Sequence, residues 1–216
     1  MNFPFEKIAL DFDNAVQQLG LSVSAEQKQK LLSFLQLLHK WNKAYNLTSV
    51  RDPEQMLYVH ILDSIAIAPF LSAQRYVDVG TGPGLPGIPL AIMNPDKHFT
   101  LLDSLGKRIR FIKQVAYELS LTNIEPVQSR VEDFQPDSAF DGVISRAFAS
   151  IADMLQWCHH LTNQNGAFLA LKGQYPEQEL QALPAQFSVL KAEQIVVPGL
   201  DADRYLITMK KTELEE

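Results

Sequence analysis

The segment Asp78-Val79-Gly80-Thr81-Gly82-Pro83-Gly84-Leu85-Pro86-Gly87 limits what this 216-residue chain can fold into more than any other stretch. Gly80, Gly82 and Gly84 lack Cβ atoms and can take dihedrals closed to other residues, which lets a ligand approach the backbone. Tyr76-Val77-Asp78-Val79 is a short apolar run stopped by glycine, the pattern of a buried strand. Pro86 and Pro89 fall where a following helix should begin, and proline is tolerated in a first turn. Strand, glycine turn and helix in that order belong to an open α/β sheet, where such a turn lies at the carboxyl ends of the strands and ligands bind.

The rest of the chain agrees with that architecture. The first third reads as helix: Ser24-Ala25-Glu26-Gln27 has the capping-box pattern, and Leu31, Leu35, Leu38, Trp41 and Tyr45 recur at helical spacing. Asp52-Pro53 reads as a second cap with proline at the first helical position, ahead of a stretch from Met56 to Phe70. From Arg75 onward strands are expected at Tyr76–Val79, His98–Asp103, Ile124–Gln128, Phe140–Ser145, Ala167–Leu171, Phe187–Val197 and Tyr205–Met209. A helix carrying Leu105, Ile109, Ile112, Ala116 and Leu119 on one face, and segments near Ile151–Leu161 and Glu177–Leu183, separate several of them. The expectation is a mostly parallel seven-stranded sheet with helices on both faces. Only Pro198–Arg204 separates the last two strands, too little for a crossover helix, so they should form an antiparallel hairpin at the sheet edge. Residues 1–72 are expected to be a helical extension and residues 73–216 the ligand-binding domain.

A chain of this length buries roughly 70% of its unfolded surface, so it needs no disulfide or metal to fold. Cys158 is the single cysteine, which excludes an intrachain disulfide and suits a reducing cytoplasm. No apolar run is long enough to span a membrane, and the first residues lack a signal-peptide layout. The net charge of −6 argues against non-specific coating of nucleic acid but leaves room for a local basic surface. The protein is expected in the cytoplasm, acting as a monomer.

The glycine turn alone does not choose a cofactor. Gly82-Pro83-Gly84-Leu85-Pro86-Gly87 also satisfies the G-x-G-x-x-G pattern of nicotinamide-dependent oxidoreductases. Asp103 ends the second strand about 20 residues on, placed to accept hydrogen bonds from ribose hydroxyls of either nucleoside cofactor. Asp78 favours S-adenosylmethionine, since a carboxylate there would hold the loop or a methionine amine but repel a pyrophosphate.

The ten-residue glycine segment closely resembles the bacterial 16S ribosomal RNA methyltransferase G family, also called glucose-inhibited division protein B. The likeness extends through His39–Thr48, His60-Ile61-Leu62-Asp63-Ser64, Leu101-Leu102-Asp103-Ser104, Ser145-Arg146-Ala147-Phe148 and Leu171-Lys172-Gly173. The resemblance implies a Rossmann-like class I methyltransferase fold with a helical N-terminal extension. It also implies methyl transfer from S-adenosylmethionine, leaving S-adenosylhomocysteine, to N7 of one guanine (527) in 16S rRNA. On that likeness Gly80 and Leu85 contact the cofactor from the first loop, Val131 and Glu132 flank its adenine, and Arg146 completes the pocket. With Asp78, Gly82, Gly84 and Asp103 they make the expected cofactor set.

Guanine N7 carries an in-plane lone pair and no proton, so attack on a sulfonium methyl needs no general base. Alignment is the whole task, and fixing two reactants can supply roughly 7–11 kcal/mol of the barrier. Arg146 and Lys172 are the expected orienting groups: the first for cofactor or base, the second, ending the fifth strand, for base or phosphate. The target must be splayed out of its loop to reach a buried methyl donor. A non-catalytic RNA-assembly protein retaining the pocket is a further alternative.

Other residues have plainer readings. His60 and Asp63, three apart on a helix, either face the cofactor or share a local hydrogen bond. Asn46 reads as a helix cap, and Trp41 and Tyr45 as core packing rather than base stacking. Cys158-His159-His160 lacks metal-ligand spacing, so no metal is expected. Lys107, Arg108, Arg110 and Lys113 form either a solvated face or an RNA footprint.

Overall fold

The computed structural model describes residues 3–146, 148 and 150–212. Seven strands form one sheet: β1 (Arg75–Val79), β2 (His98–Asp103), β3 (Ile124–Gln128), β4 (Phe140–Arg146), β5 (Thr162–Lys172), β6 (Phe187–Gln194) and β7 (Tyr205–Lys211). Their order is β3-β2-β1-β4-β5-β7-β6, parallel from β3 to β5 and antiparallel where β7 meets β5 and β6. The C-terminal hairpin therefore lies at the sheet edge as expected, with its second strand turned inward. Burial explains that choice: Leu206, Ile207 and Met209 of β7 are buried, whereas β6 leaves Val189 and Leu190 exposed.

The helices are α1 (Phe5–Leu19), α2 (Ala25–Tyr45), α3 (Pro53–Met56), α4 (Asp63–Ile65), α5 (Gly87–Met93), α6 (Gly106–Glu118), α7 (Ile151–Cys158) and α8 (Glu177–Gln181). The capping box is present, Gln27 N–H donating to Ser24 Oγ at 3.1 Å and Ser24 N–H to Gln27 Oε1 at 2.8 Å. Asn46 closes α2 in the left-handed region at φ 48°, the cap its position suggested. Asp52 caps α3 through Glu54 N–H. The expected Met56–Phe70 helix is instead interrupted: a π-helical turn, Leu57–Leu62, joins α3 to α4. Such wide turns concentrate at functional sites, and this one carries Val59 and His60.

Helices cover both faces of the sheet. On one, Ile8 and Phe12 of α1, Leu31, Phe34 and Leu38 of α2, Ile88 of α5 and Phe111 of α6 form one buried cluster with Phe99 and Leu101 of β2. On the other, Met154 and Leu155 of α7 pack with Val77, Val143, Phe168 and Ile207. Two strands differ from expectation by three residues or more. β5 begins at Thr162, paired with Phe140, and the exposed polar run Asn163-Gln164-Asn165 falls where the register shifts before Ala167 pairs with Gly142. β6 stops at Gln194, after which Ile195 and Val197 are buried in the first cluster while Val196 stays exposed.

Candidate active site

β1 delivers the glycine turn to the carboxyl edge of the sheet. Asp78 is fully buried, and its Oδ2 accepts from Thr81 Oγ1 at 2.6 Å and from Gly87 N–H at 2.9 Å. Asp78 thus holds the loop through Oδ2, while its buried Oδ1 has no hydrogen-bond partner among the described residues. Gly80, Gly82 and Gly84 have φ of +70°, +59° and +92°, which side-chain-bearing residues rarely adopt. A Cβ at Gly84 would lie 2.3 Å from Ile88 Cδ1, so this glycine serves helix packing. Leu85 is buried in the hydrophobic core.

The donors of the turn face inward. Gly80 and Thr81 N–H bond to Leu102 O, Gly82 N–H to Asp103 Oδ2, and Gly84 and Leu85 N–H to Thr81 O. At the start of α5, Gly87 N–H serves Asp78, Ile88 N–H bonds Gly84 O, Pro89 has none, and Leu90 N–H bonds Pro86 O. A pyrophosphate needs free N–H groups at a helix N-terminus, and here the protein consumes them. The dinucleotide reading loses its anchor.

Beside the turn lies a cleft of about 280 Å³ whose walls include Gly80, Leu102, Asp103, Arg108, Val131 and Glu132. Asp103 is nearly fully committed: Oδ1 accepts from Leu105 N–H at 2.8 Å, and Oδ2 from Gly82 N–H at 2.9 Å and Arg108 Nη1 at 3.0 Å. Asp103 locks the turn and α6 together, and its Oδ1, with one donor, keeps acceptor capacity toward the cleft. The cleft suits a nucleoside: apolar Leu102 and Val131 flank carboxylates and the hydroxyls of Ser104 and Ser129. At Gly80 an added Cβ would meet nothing within 4 Å, so its absence leaves the cleft open beside the backbone.

A second cavity, about 460 Å³, adjoins the cleft, and Phe148 lines both. Asp63 is its organising charge. Its Oδ1 accepts from Arg204 Nε at 2.8 Å and its Oδ2 from Arg146 Nη1 at 3.2 Å, while Arg146 Nη1 also reaches Val59 O at 3.2 Å. Arg146 thus lines this cavity rather than the smaller cleft where the sequence expectation put it. Lys172 is here too, paired with Glu179 at 2.9 Å. His60 shares the wall and bonds Thr48 Oγ1 at 2.9 Å, so His60 and Asp63 form no local pair with each other. Sequence reasoning missed Arg204, because 141 positions separate it from Asp63 and no local pattern links them.

These features match a known family. The sequence profile described as rRNA small subunit methyltransferase G matches residues 27–207. The chain belongs to the rRNA small subunit methyltransferase G family. It is 60% identical to the ribosomal RNA small subunit methyltransferase G of Aliivibrio fischeri over 94% of this chain and 97% of that one. The corresponding protein of Aeromonas hydrophila is 59% identical over 93% and 94%. Among solved structures, a SAM-dependent methyltransferase from Aquifex aeolicus superposes with a TM-score of 0.57 at 15% identity, covering 76% of this chain and 97% of that one. That likeness bears on the fold, a class I methyltransferase sheet.

The remaining candidates settle individually. Trp41 packs on Phe111 at 5.5 Å as core, but Tyr45, stacked on Trp41 at 5.1 Å, is 44% exposed. Cys158 is buried, His159 and His160 bond backbone carbonyls, and no metal-holding group occurs among the described residues. No described helix is long and apolar enough to cross a membrane.

Two buried groups titrate in opposite senses. Burial raises the Asp78 carboxyl from 3.8 to about 6, against the pull of Thr81, Gly87 and Arg146. Its folded pKa exceeds the unfolded value, so its stabilisation is complete below about pH 4 and lost as pH rises through 6. Burial, with Arg146 adding to it, lowers His60 from 6.5 to about 4, so its contribution is present above 6.5 and lost as pH falls through 4. The two offset each other, and a variant is needed to separate them. In urea titrations, wild type should lose about 3 kcal/mol relative to Asp78→Asn between pH 4 and pH 7. A gap that stays constant with pH would show that Asp78 does not titrate this way.

Proposed function

We propose that this chain transfers the methyl group of S-adenosylmethionine to N7 of a single guanine of 16S rRNA, position 527, in the small ribosomal subunit. The observation that carries the reading is the pair of cavities meeting at Phe148, one shaped by the glycine turn and one built around two arginines on Asp63. Membership of the small-subunit methyltransferase family supports it.

The cofactor supplies an electrophilic sulfonium methyl, and the chain's residues supply position. Gly80 leaves room at the backbone, Val131 and Glu132 border the nucleoside end, and Asp103 with Arg108 fixes the wall between them. Asp78, Gly82, Gly84 and Leu85 hold the turn in shape from behind. In the neighbouring cavity Arg146 faces the base: guanidinium donors suit guanine O6, and Asp63 prevents the group from swinging across the N7 lone pair. Lys172 serves a flanking phosphate. Burial keeps His60 neutral, which removes a competing cation from the base pocket. Residues 1–72 act as a helical extension to the cofactor-binding unit 73–216, and the protein works in the cytoplasm as a monomer.

Arg146→Ala tests the base-orienting role. Turnover should fall about 100-fold, the cost of an ångström-scale misplacement, while calorimetric affinity for S-adenosylhomocysteine stays close to wild type. Unchanged turnover would remove Arg146 from the reaction. Binding of an oxidised nicotinamide dinucleotide in preference to S-adenosylhomocysteine would replace the reading with that of an oxidoreductase.

A further inference from the structure

Two long stretches of this acidic chain contain no carboxylate at all. Residues 27–51 carry Lys28, Lys30, Lys40, Lys43 and Arg51, and residues 104–117 carry Lys107, Arg108, Arg110 and Lys113. Nine of the 19 Lys and Arg residues and none of the 25 acids thus sit in two segments far apart in sequence. The fold joins them: Phe111 of α6 packs against Phe34 and Trp41 of α2, and Lys107 Nζ donates to Tyr45 O at 3.0 Å.

Several of these cations have structural employment. Lys28 pairs with Asp13 and Lys30 with Glu26. Arg108 holds Asp103, while Arg51 and Lys107 donate to carbonyls at the end of α2. Lys40, Lys43, Arg110 and Lys113 remain. All four are exposed, and among the described residues none has a carboxylate within 4 Å.

The helix dipole favours Lys43, in the last turn of α2, but not the basic start of α6. The first turn of α6 carries no acidic residue and is basic instead, at the helix end whose dipole repels cations. The Lys43 ammonium, after burial, lowers the pKa of the half-buried His39 one turn back on the same helix. Among these charges Tyr45 stands exposed, its ring held by the stack on Trp41. The segments that carry the face lead to both cavities. Arg108 lines the smaller cleft, and Thr48, just beyond α2, bonds His60 in the wall of the larger one.

We propose that Lys40, Lys43, Arg110 and Lys113 bind phosphates of the RNA flanking the methylated base, with Tyr45 offering a stacking surface to an unpaired base. The inference rests on the ribosomal RNA reading and adds the surface by which that RNA is held. Phosphate neutralisation releases counterions, so its signature is a salt dependence, and aromatic stacking tolerates any sequence.

The test is the quadruple variant Lys40→Gln, Lys43→Gln, Arg110→Gln and Lys113→Gln, assayed on small subunits lacking the modification. All four side chains are exposed, so its melting temperature and S-adenosylhomocysteine affinity should match wild type. KM should rise about tenfold near physiological salt with kcat little changed, and the slope of log KM against log salt should fall by about 3. The double variant Lys28→Gln and Lys30→Gln, on the same helix but already neutralised by acids, should leave both unchanged. Tyr45→Ala should raise KM severalfold without altering the slope. A quadruple variant with wild-type KM and slope, beside an active wild type, would overturn the proposal alone. A wild type that methylates no RNA would overturn the function reading and this surface with it.

Discussion

One methyl group added at Gly87 should lower the melting temperature by about 6–12 °C and loosen cofactor binding at the same time. An alanine Cβ there would lie 2.2 Å from Leu101 Cδ2 and 2.8 Å from Asp78 Oδ2. Leu101 is fully buried in the sheet, so it has nowhere to retreat. The Asp78 carboxylate would be pushed off the Gly87 N–H and the Thr81 hydroxyl that it holds. Overpacking of this kind costs about 1–3 kcal/mol, and disturbing hydrogen bonds to a buried carboxylate raises the total to the upper end. In a domain of this size each 1 kcal/mol corresponds to about 2–4 °C. Gly80→Ala makes the instructive contrast. Its Cβ meets no neighbour but must adopt φ +70°, so stability should fall by only about 1 kcal/mol. Cofactor affinity should nevertheless drop, because the methyl stands beside the cleft. Thermal melting with and without S-adenosylhomocysteine separates the two. Equal melting temperatures for Gly87→Ala and wild type would refute the account of the turn.

That contrast shows where the sequence was informative. Periodicity and turn chemistry are local, so β2 and β3 were placed to the residue and the capping box at Ser24 was legible outright. The parallel sheet and its terminal hairpin followed from connection lengths. What local patterns lack is the identity of distant partners. Asp78 and Asp103 are recognisable as special carboxylates, but only the fold shows that both bond the turn itself, Asp78 through Oδ2 alone and Asp103 through Oδ2 while its Oδ1 accepts from Leu105 N–H. Arg146 carried its own signal in Ser145-Arg146-Ala147-Phe148, yet its cavity depends on Asp63 and Arg204, brought together by the π-helical turn and β7. Gly84 reads as a ligand contact because glycine motifs mark close approach, and Leu85 because the family resemblance implies it. In the fold, close approach at Gly84 is to Ile88.

Removing the carboxylate between the two arginines is the second large effect. Asp63→Ala should cost about 2 kcal/mol of stability and about 100-fold in turnover, with S-adenosylhomocysteine affinity retained. Breaking a fully buried pair costs about 3–5 kcal/mol. The smaller figure applies because the Arg146 and Arg204 side chains keep 23% and 25% exposure. Each also keeps a carbonyl, Val59 O for Arg146 and Asp203 O for Arg204. The larger loss is geometric: two guanidiniums freed of their common acceptor repel each other, and Arg146 leaves the position from which we propose it orients the base. Asp63→Asn retains the shape but not the charge and should fall between. If Asp63 acts by holding Arg146, the double variant Asp63→Ala with Arg146→Ala should be little worse than Arg146→Ala alone. Additive losses would mean that Asp63 acts independently. A fully active Asp63→Ala would dissolve the link between this triad and catalysis.

On the proposed function, two adjoining cavities bring a methyl donor to one guanine of the small subunit. Purified protein, labelled S-adenosylmethionine and small subunits from cells lacking this gene test it directly, with the label mapped by cleavage at 7-methylguanine. The account predicts label at a single guanine of 16S rRNA, position 527. Label spread over many bases, or none despite tight cofactor binding, would contradict it.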